Sequence, residues 1–397
     1  MKRIAFLLAV TAAVVGLADD IALTLDKSAN SLMDFRRDFP GFAYADDPID
    51  GGEQAVLKYR HCGAWTFRTS KCDDKTLAFL LKNDLRILLV LDGDVARAIS
   101  SVKCIAAGNF GEAIAGFQLG TKPSANAAQW KSVIAEIRRN FKAVPVAIPA
   151  EKSLPAAVKS LPGVTHLAVD LTKAENPYPQ LEKLGSEIRS ANDPSHRKLR
   201  VWATVSDRMP GTGERDSFRS VLWKMHWLCS AYASGIVDGV IFNEPAKEGA
   251  LGDVLRYLGF AFIKHAHVQA HGESLTAERK SEEDLGAEDL EIPPEPVACG
   301  NLAHGKPGDA EYLVLLNAGR NRMGFLVVNS SDKPSKLTAE LKSGGFDIGT
   351  YRKVFLDEKT GKVCREAMGC YSHPNRPFSR TFAPNSIEIV TAIIKGQ

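Results

Sequence analysis

HLAVDLTKAENPYPQLEKLGSEIRSANDPSHRKLRVWATV, residues 166–205, decides the fold. Two short apolar runs, HLAVDL (166–171) and RVWATV (200–205), enclose YPQLEKLGSEIRS (178–190), which has helical periodicity. Runs that are apolar at successive positions suit parallel strands covered on both faces, and parallel neighbours need a crossover, usually a helix. The same unit repeats on either side. GFAYA (41–45), WTFR (65–68), RILLVLD (86–92), IAGFQL (114–119), VPVAIP (144–149) and GVIF (239–242) bring the strands to eight. Helical segments include DDKTLAFLLKN (73–83), NAAQWKSVIAEIRRNF (126–141) and DSFRSVLWKMHWLCSAYAS (216–234). Eight units favour a closed (β/α)8 TIM barrel, of α/β class, over an open doubly wound sheet.

Composition changes beyond the last barrel helix. Residues 273–299 carry nine acidic side chains, two basic ones and three prolines, a solvated linker or lid loop between the barrel at 41–272 and the C-terminal hundred residues. Residues 300–397 read as a small antiparallel β domain, expected to be a β-sandwich. Its hairpin has strands at 312–317 and 323–328, and KLTAELKS, YRKVFLDEKTGKV and SIEIVTAIIK add further strands. IALTLD (21–26), within an N-terminal extension at 19–40, is a candidate strand joining that domain.

The start of the chain, MKRIAFLLAVTAAVVGLA, has a basic opening, an apolar run and small residues before Asp19. That is the layout of a signal peptide at 1–18, so the protein is expected to be secreted or periplasmic, with no transmembrane anchor after cleavage. Export exposes the seven cysteines to oxidation. Cys364 and Cys370, with five residues between them, are the best local disulfide pair. Fifty Lys and Arg against 47 Asp and Glu provide no basic field for nucleic acid. Neither GxGxxG nor GxxxxGK[ST] occurs, and of His265, His267 and His271 only the last two have i, i+4 spacing, without the Glu of HExxH or a third ligand nearby, so no cofactor and no metal are expected.

In such a barrel the chemistry lies at the C-terminal strand ends. Arg68, Asp92, Thr121, Lys122, Asp170, Asp207, Asn243 and Glu244 collect there, with Trp65, Phe117, Trp202 and Phe242 near. Carboxylates, amides and aromatic faces together suit the hydroxyls and ring faces of sugars. Arg68 could orient a ligand or a carboxylate. Lys122 could bind an acidic substrate or pair with Glu244. Trp202 could face a ligand or pack the core.

FPGFAYAD (39–46), WTFR, IAGFQLGTKPSANAAQW (114–130), LRVWATVSD (199–207) and FAPNSIEIVTA (382–392) resemble motifs of secreted glycoside hydrolases of the large retaining barrel clan, which includes xylosidases and arabinofuranosidases. The resemblance implies an oligosaccharide or polysaccharide ligand and, on the strand carrying WTFR, a substrate-side arginine, Arg68. It also implies a departure. Aligned on Pro123, the acid/base glutamate of the clan falls on Lys122; aligned on Thr204, its nucleophile falls on Val205. Retaining hydrolysis needs two carboxyl groups about 5–5.5 Å apart. Two readings are open: a barrel without ordinary retaining catalysis that binds a glycan or serves with a protein partner in an envelope assembly, or a hydrolase using displaced or inverting carboxylates among Asp92, Asp170, Asp207 and Glu244.

Overall fold

The computed structural model describes residues 20–25, 42–44, 66–83, 85–120, 127–151, 153–155, 158, 161–174, 178–191, 199–209, 211–215, 217–233, 236–243, 251, 254, 296–301, 310–316, 322–341, 345–369 and 378–395. The signal-peptide segment, the histidines at 265–271, and Lys122 and Glu244 lie outside them.

Eight strands close into a barrel in chain order: β2 (Phe42–Tyr44), β3 (Thr66–Thr69), β4 (Arg86–Leu91), β5 (Ile114–Leu119), β6 (Val146–Ala150), β7 (His166–Asp170), β8 (Arg200–Val205) and β9 (Val237–Phe242). Every neighbouring pair is parallel, including β2 with β9. The strands expected from apolar runs all form. Helices α1 (Asp74–Lys82), α2 (Val95–Ala107), α3 (Lys131–Asn140), α4 (Tyr178–Arg189) and α5 (Phe218–Ala233) follow barrel strands. Of these, α1 and α2 begin at aspartate caps: Asp73 accepts from the Thr76 amide at 3.0 Å and Asp94 from the Ala96 amide at 3.1 Å.

Side chains alternate across each strand and split the barrel into two cores. Outward residues such as Phe67, Ile87, Leu89, Phe117, Leu167, Val201 and Val205 meet the helices in one continuous apolar layer. A separate inner cluster joins Ala43, Leu88, Ala115, Ala147, Ala168, Trp202 and Ile241, one residue from each of seven strands. Four alanines make the room that a single indole fills. Trp202 is fully buried. Gly116 belongs to the same arrangement, because a Cβ there would stand 2.4 Å from Trp202 Cη2. The His166 ring, also buried, lies 4.9 Å from the Trp202 ring between centroids. The lumen at this level is packed interior, as expected of a barrel of this strand number.

A six-stranded antiparallel sheet runs β10-β11-β12-β17-β14-β15, built from β10 (Pro296–Asn301), β11 (Ala310–Leu316), β12 (Arg322–Asn329), β14 (Gly345–Asp357), β15 (Lys362–Gly369) and β17 (Ser386–Lys395). A three-stranded sheet holds β13 (Ser335–Leu341) between β16 (Phe378–Phe382) and the N-terminal β1 (Asp20–Leu25), which pairs parallel with β13. Helix α5 packs on β10, β11 and β12 as well as on the barrel. Leu326, Val328, Val354, Ile387 and Ile389 accordingly share one core with the barrel helices. The alternating residues Phe325, Val327, Tyr351 and Val390 are buried too. That second face meets β16, whose Arg380 lies over the Tyr351 ring at 3.5 Å and approaches Glu388 at 3.6 Å.

Three sequence expectations change. β10 begins at Pro296, inside the segment expected to be linker, because the acidic run ends at Glu295 and apolar residues resume. YRKVFLDEKTGKV is no single strand but the corner of a hairpin, with Asp357 Oδ1 accepting from the amides of Lys359 and Thr360 and Gly361 at φ 65°. Cys364 is a free thiol within extended β15. The five steps of strand from Cys364 to Gly369 span roughly 16 Å, while a disulfide needs Cα atoms within about 7 Å. The strand therefore runs away from Cys364 as far as Gly369 without turning back, and Cys370 lies outside the described residues.

Candidate functional site

The C-terminal mouth of the barrel lies just above the Trp202 layer. Its floor is set by Arg68 on β3. With Phe67 committed to the outer core, alternation turns Arg68 inward, at the level of Leu88 on β4 and Gly116 on β5. The half-buried side chain crosses the lumen and donates from Nη1 to Thr204 Oγ1 on β8 at 3.0 Å. Thr204 stands one inward position above Trp202. Burial lowers the pKa of the Arg68 guanidinium from its ordinary value, and the charge of Asp170 opposes that shift. Arginine nonetheless stays protonated at any physiological pH.

Gln118 on β5 stands one inward position above Gly116. It is almost wholly buried; its Nε2 donates to the Gly120 carbonyl at 2.9 Å, and among the described residues its Oε1 has no partner. Sequence reading passed over this residue. The signal was Gly116, a glycine in a strand two residues before a polar side chain, which marks a close approach inside the barrel.

Asp170 ends β7 in the exposed rim. Its Oδ1 accepts from the Thr172 amide at 3.0 Å and the Thr172 hydroxyl at 2.7 Å, so half of the carboxylate holds its own turn. Asp92 follows β4 and is exposed; Asn243 follows β9 two residues beyond Ile241, half-buried on the lumen side by alternation. These residues, with Arg68, stand at the mouth. Lys122 and Glu244, the other two expected there, lie outside the described residues.

Three further residues singled out from the sequence lie away from the surface of the mouth. Asp207, proposed as a catalytic acid, is buried, and Arg215 Nη1 stands 3.8 Å from its Oδ2. Its loop is not loose either. The Met209 amide donates to Glu214 at 2.8 Å, and the Arg215 carbonyl accepts from the buried Lys224 ammonium of α5 at 3.1 Å. That loop holds the Asp207 carboxylate in a fixed, buried position. Trp202, proposed as a ligand contact, has no exposed face. Val205, proposed to stand where retaining relatives carry their nucleophile, points into the barrel–helix core. The inward residues of β8 are Trp202 and Thr204, and neither is an acid. On a strand a step of one residue moves the side chain to the other face, so Thr204 and not Val205 looks into the lumen.

Among the described residues no cluster of His, Cys, Asp and Glu has the make-up of a metal centre. No helix of the described residues is long and apolar enough to cross a membrane.

No protein-family model and no curated protein matches the sequence. Solved structures do. A glucosidase from Croceicoccus marinus superposes with a TM-score of 0.54 at 12% identity, over 94% of this chain and 99% of that one. An α-L-arabinofuranosidase from Thermotoga maritima gives 0.55 at 8% identity, over 95% and 100%. A β-xylosidase from Caulobacter crescentus gives 0.51 at 11% identity, over 94% and 99%. The chain thus shares, along nearly its whole length, the fold of glycoside hydrolases that pair a (β/α)8 barrel with a second domain.

Proposed function

We propose that this chain is an exported glycan-binding protein on a glycosidase-like barrel, without ordinary retaining catalysis. The observation that carries the reading is the Arg68–Thr204 hydrogen bond. Retaining hydrolysis needs an attacking carboxylate in the lumen. On β8 the inward side chain at the mouth is a threonine that accepts from an arginine. A hydroxyl attacks only with a general base to take its proton, and a guanidinium is not one. The mouth keeps what sugar recognition requires: the cation Arg68, the buried acceptor Gln118 Oε1, and the exposed carboxylates Asp92 and Asp170.

The N-terminal leader motivates export with cleavage after Ala18, and an envelope setting in which the glycan, or a protein partner, is met. We also take the two C-terminal sheets as a β-sandwich docked on the barrel.

The test is a panel of aryl glycosides and natural oligosaccharides, monitored for both turnover and binding. Saturable binding with no turnover is expected. The competing reading, a hydrolase with displaced carboxylates, draws support from Asp170 standing exposed at the mouth within the field of Arg68. It requires turnover that Glu244→Gln or Asp170→Asn abolishes.

A further inference from the structure

We propose that the ligand of the barrel mouth is an acidic sugar, a uronic acid unit, with its carboxylate on the Arg68 guanidinium and a hydroxyl on Gln118 Oε1. This names the ligand class of the glycan-binding reading and rests on it.

The half-buried Arg68 side chain lies on the mouth side of a dry layer, Trp202 against alanines. Among the described residues its one hydrogen bond goes to a neutral hydroxyl, Thr204 Oγ1, and no carboxylate oxygen comes within ion-pair distance. A charge taken partly out of water is costly unless an opposite charge meets it. Asp170 acts on Arg68 only through space, and its Oδ1 is engaged by Thr172. The depressed pKa of Arg68 reflects the same shortage of water.

Gln118 adds a second requirement. An acceptor buried to this degree usually has a donor, and among the described residues its Oε1 has none. A simple inorganic anion supplies charge but no hydroxyl. A neutral sugar supplies hydroxyls but leaves the cation without a counter-charge. A sugar acid supplies both, and the planar fork of arginine matches a carboxylate in two parallel hydrogen bonds.

Calorimetric titration of the full chain with oligouronates, the same oligomers after methyl esterification, and neutral pentose and hexose oligomers tests the inference. The free acids should bind at least about tenfold more tightly than the esters and the neutral sugars. Arg68→Gln should level the three, and Arg68→Lys should restore part of the preference. Equal affinity for acid, ester and neutral oligomers overturns the acidic ligand while leaving glycan binding standing. A preference for the acid that survives Arg68→Gln overturns the assignment to Arg68. Absence of binding to every sugar overturns both. Should Arg68→Gln fail to fold, the acid–ester comparison on the unaltered protein still decides the ligand class.

Discussion

Thr204 and Val205 are neighbours with opposite fates. Thr204 faces the mouth and meets Arg68, while Val205 sits in the apolar layer under the helices. Introducing a carboxylate at each therefore has different consequences. Val205→Glu places an acid where no partner waits, and a cost of about 3 kcal/mol or more is expected. Thr204→Glu sets the new charge against a guanidinium and should leave the melting temperature within a few degrees of the parent. Thermal denaturation of the two variants side by side checks the register of β8. Comparable losses in both would mean that the inward and outward faces have been exchanged. Beneath them, Gly116→Ala drives a methyl into the Trp202 indole, an overpacking that costs about 1–3 kcal/mol. Combined with Trp202→Phe, which vacates the tip of the indole, the added cost should largely vanish; additive losses would deny that the two residues touch.

At the scale of elements, the caps and the sheet-to-sheet contact are the informative parts. Asp73 caps α1, and its hydrogen bonds with Thr76 hold its carboxyl below the ordinary 3.8. Its contribution is complete above that value and lost as pH falls through the folded one, so Asp73→Ala should cost about 1 kcal/mol near neutrality and less in acid. Chemical denaturation at neutral pH and in acid below the ordinary carboxyl value gives the comparison, and an equal loss at both would contradict it. In the β domain, Tyr351, Arg380 and Glu388 come from β14, β16 and β17 and join the two sheets. Glu388 is buried, with Oε1 accepting from the Ala383 amide at 3.0 Å and Ser386 Oγ at 3.1 Å. Removing only the cation, as in Arg380→Met, strands that charge and should cost about 3–5 kcal/mol. Burial, reinforced by the Glu388 charge, pushes the Tyr351 hydroxyl well above its ordinary 10.0. The unfolded chain then releases this proton first as pH rises. The contribution of Tyr351 is complete below about pH 10 and lost above it, and Tyr351→Phe should flatten the alkaline end of the stability curve.

For the whole molecule, apolar runs were enough to read all eight barrel strands, since a parallel strand covered on both faces has little choice of residue. RVWATV and IAGFQL were found to the residue. What the sequence could not convey was which face of β8 looks inward, because Trp202 and Val205 are equally apolar and only the closed barrel separates lumen from helix layer. Asp207 read as a rim acid for a related reason: its partner Arg215 arrives by a loop whose path is set by α5. Nor did YRKVFLDEKTGKV reveal its corner, since the DEKTGK turn interrupts a pattern with strand character on both sides. The same α5 ties the scales together, covering barrel strands on one side and the six-stranded sheet on the other. The two parts should therefore unfold in one transition, and separate calorimetric peaks would show that the shared core is not continuous.

The central claim is that a barrel of hydrolase architecture meets sugar with Arg68 and Thr204 where catalysis needs a carboxylate. The most direct measurement is NMR of natural oligosaccharides incubated with stoichiometric protein, monitoring ligand resonances and product anomers together. The account predicts saturable broadening or shifts of ligand signals, their loss in Arg68→Gln, and no new reducing ends over days. Release of product with retained anomeric configuration, in an amount that scales with protein and disappears in Glu244→Gln, would contradict it.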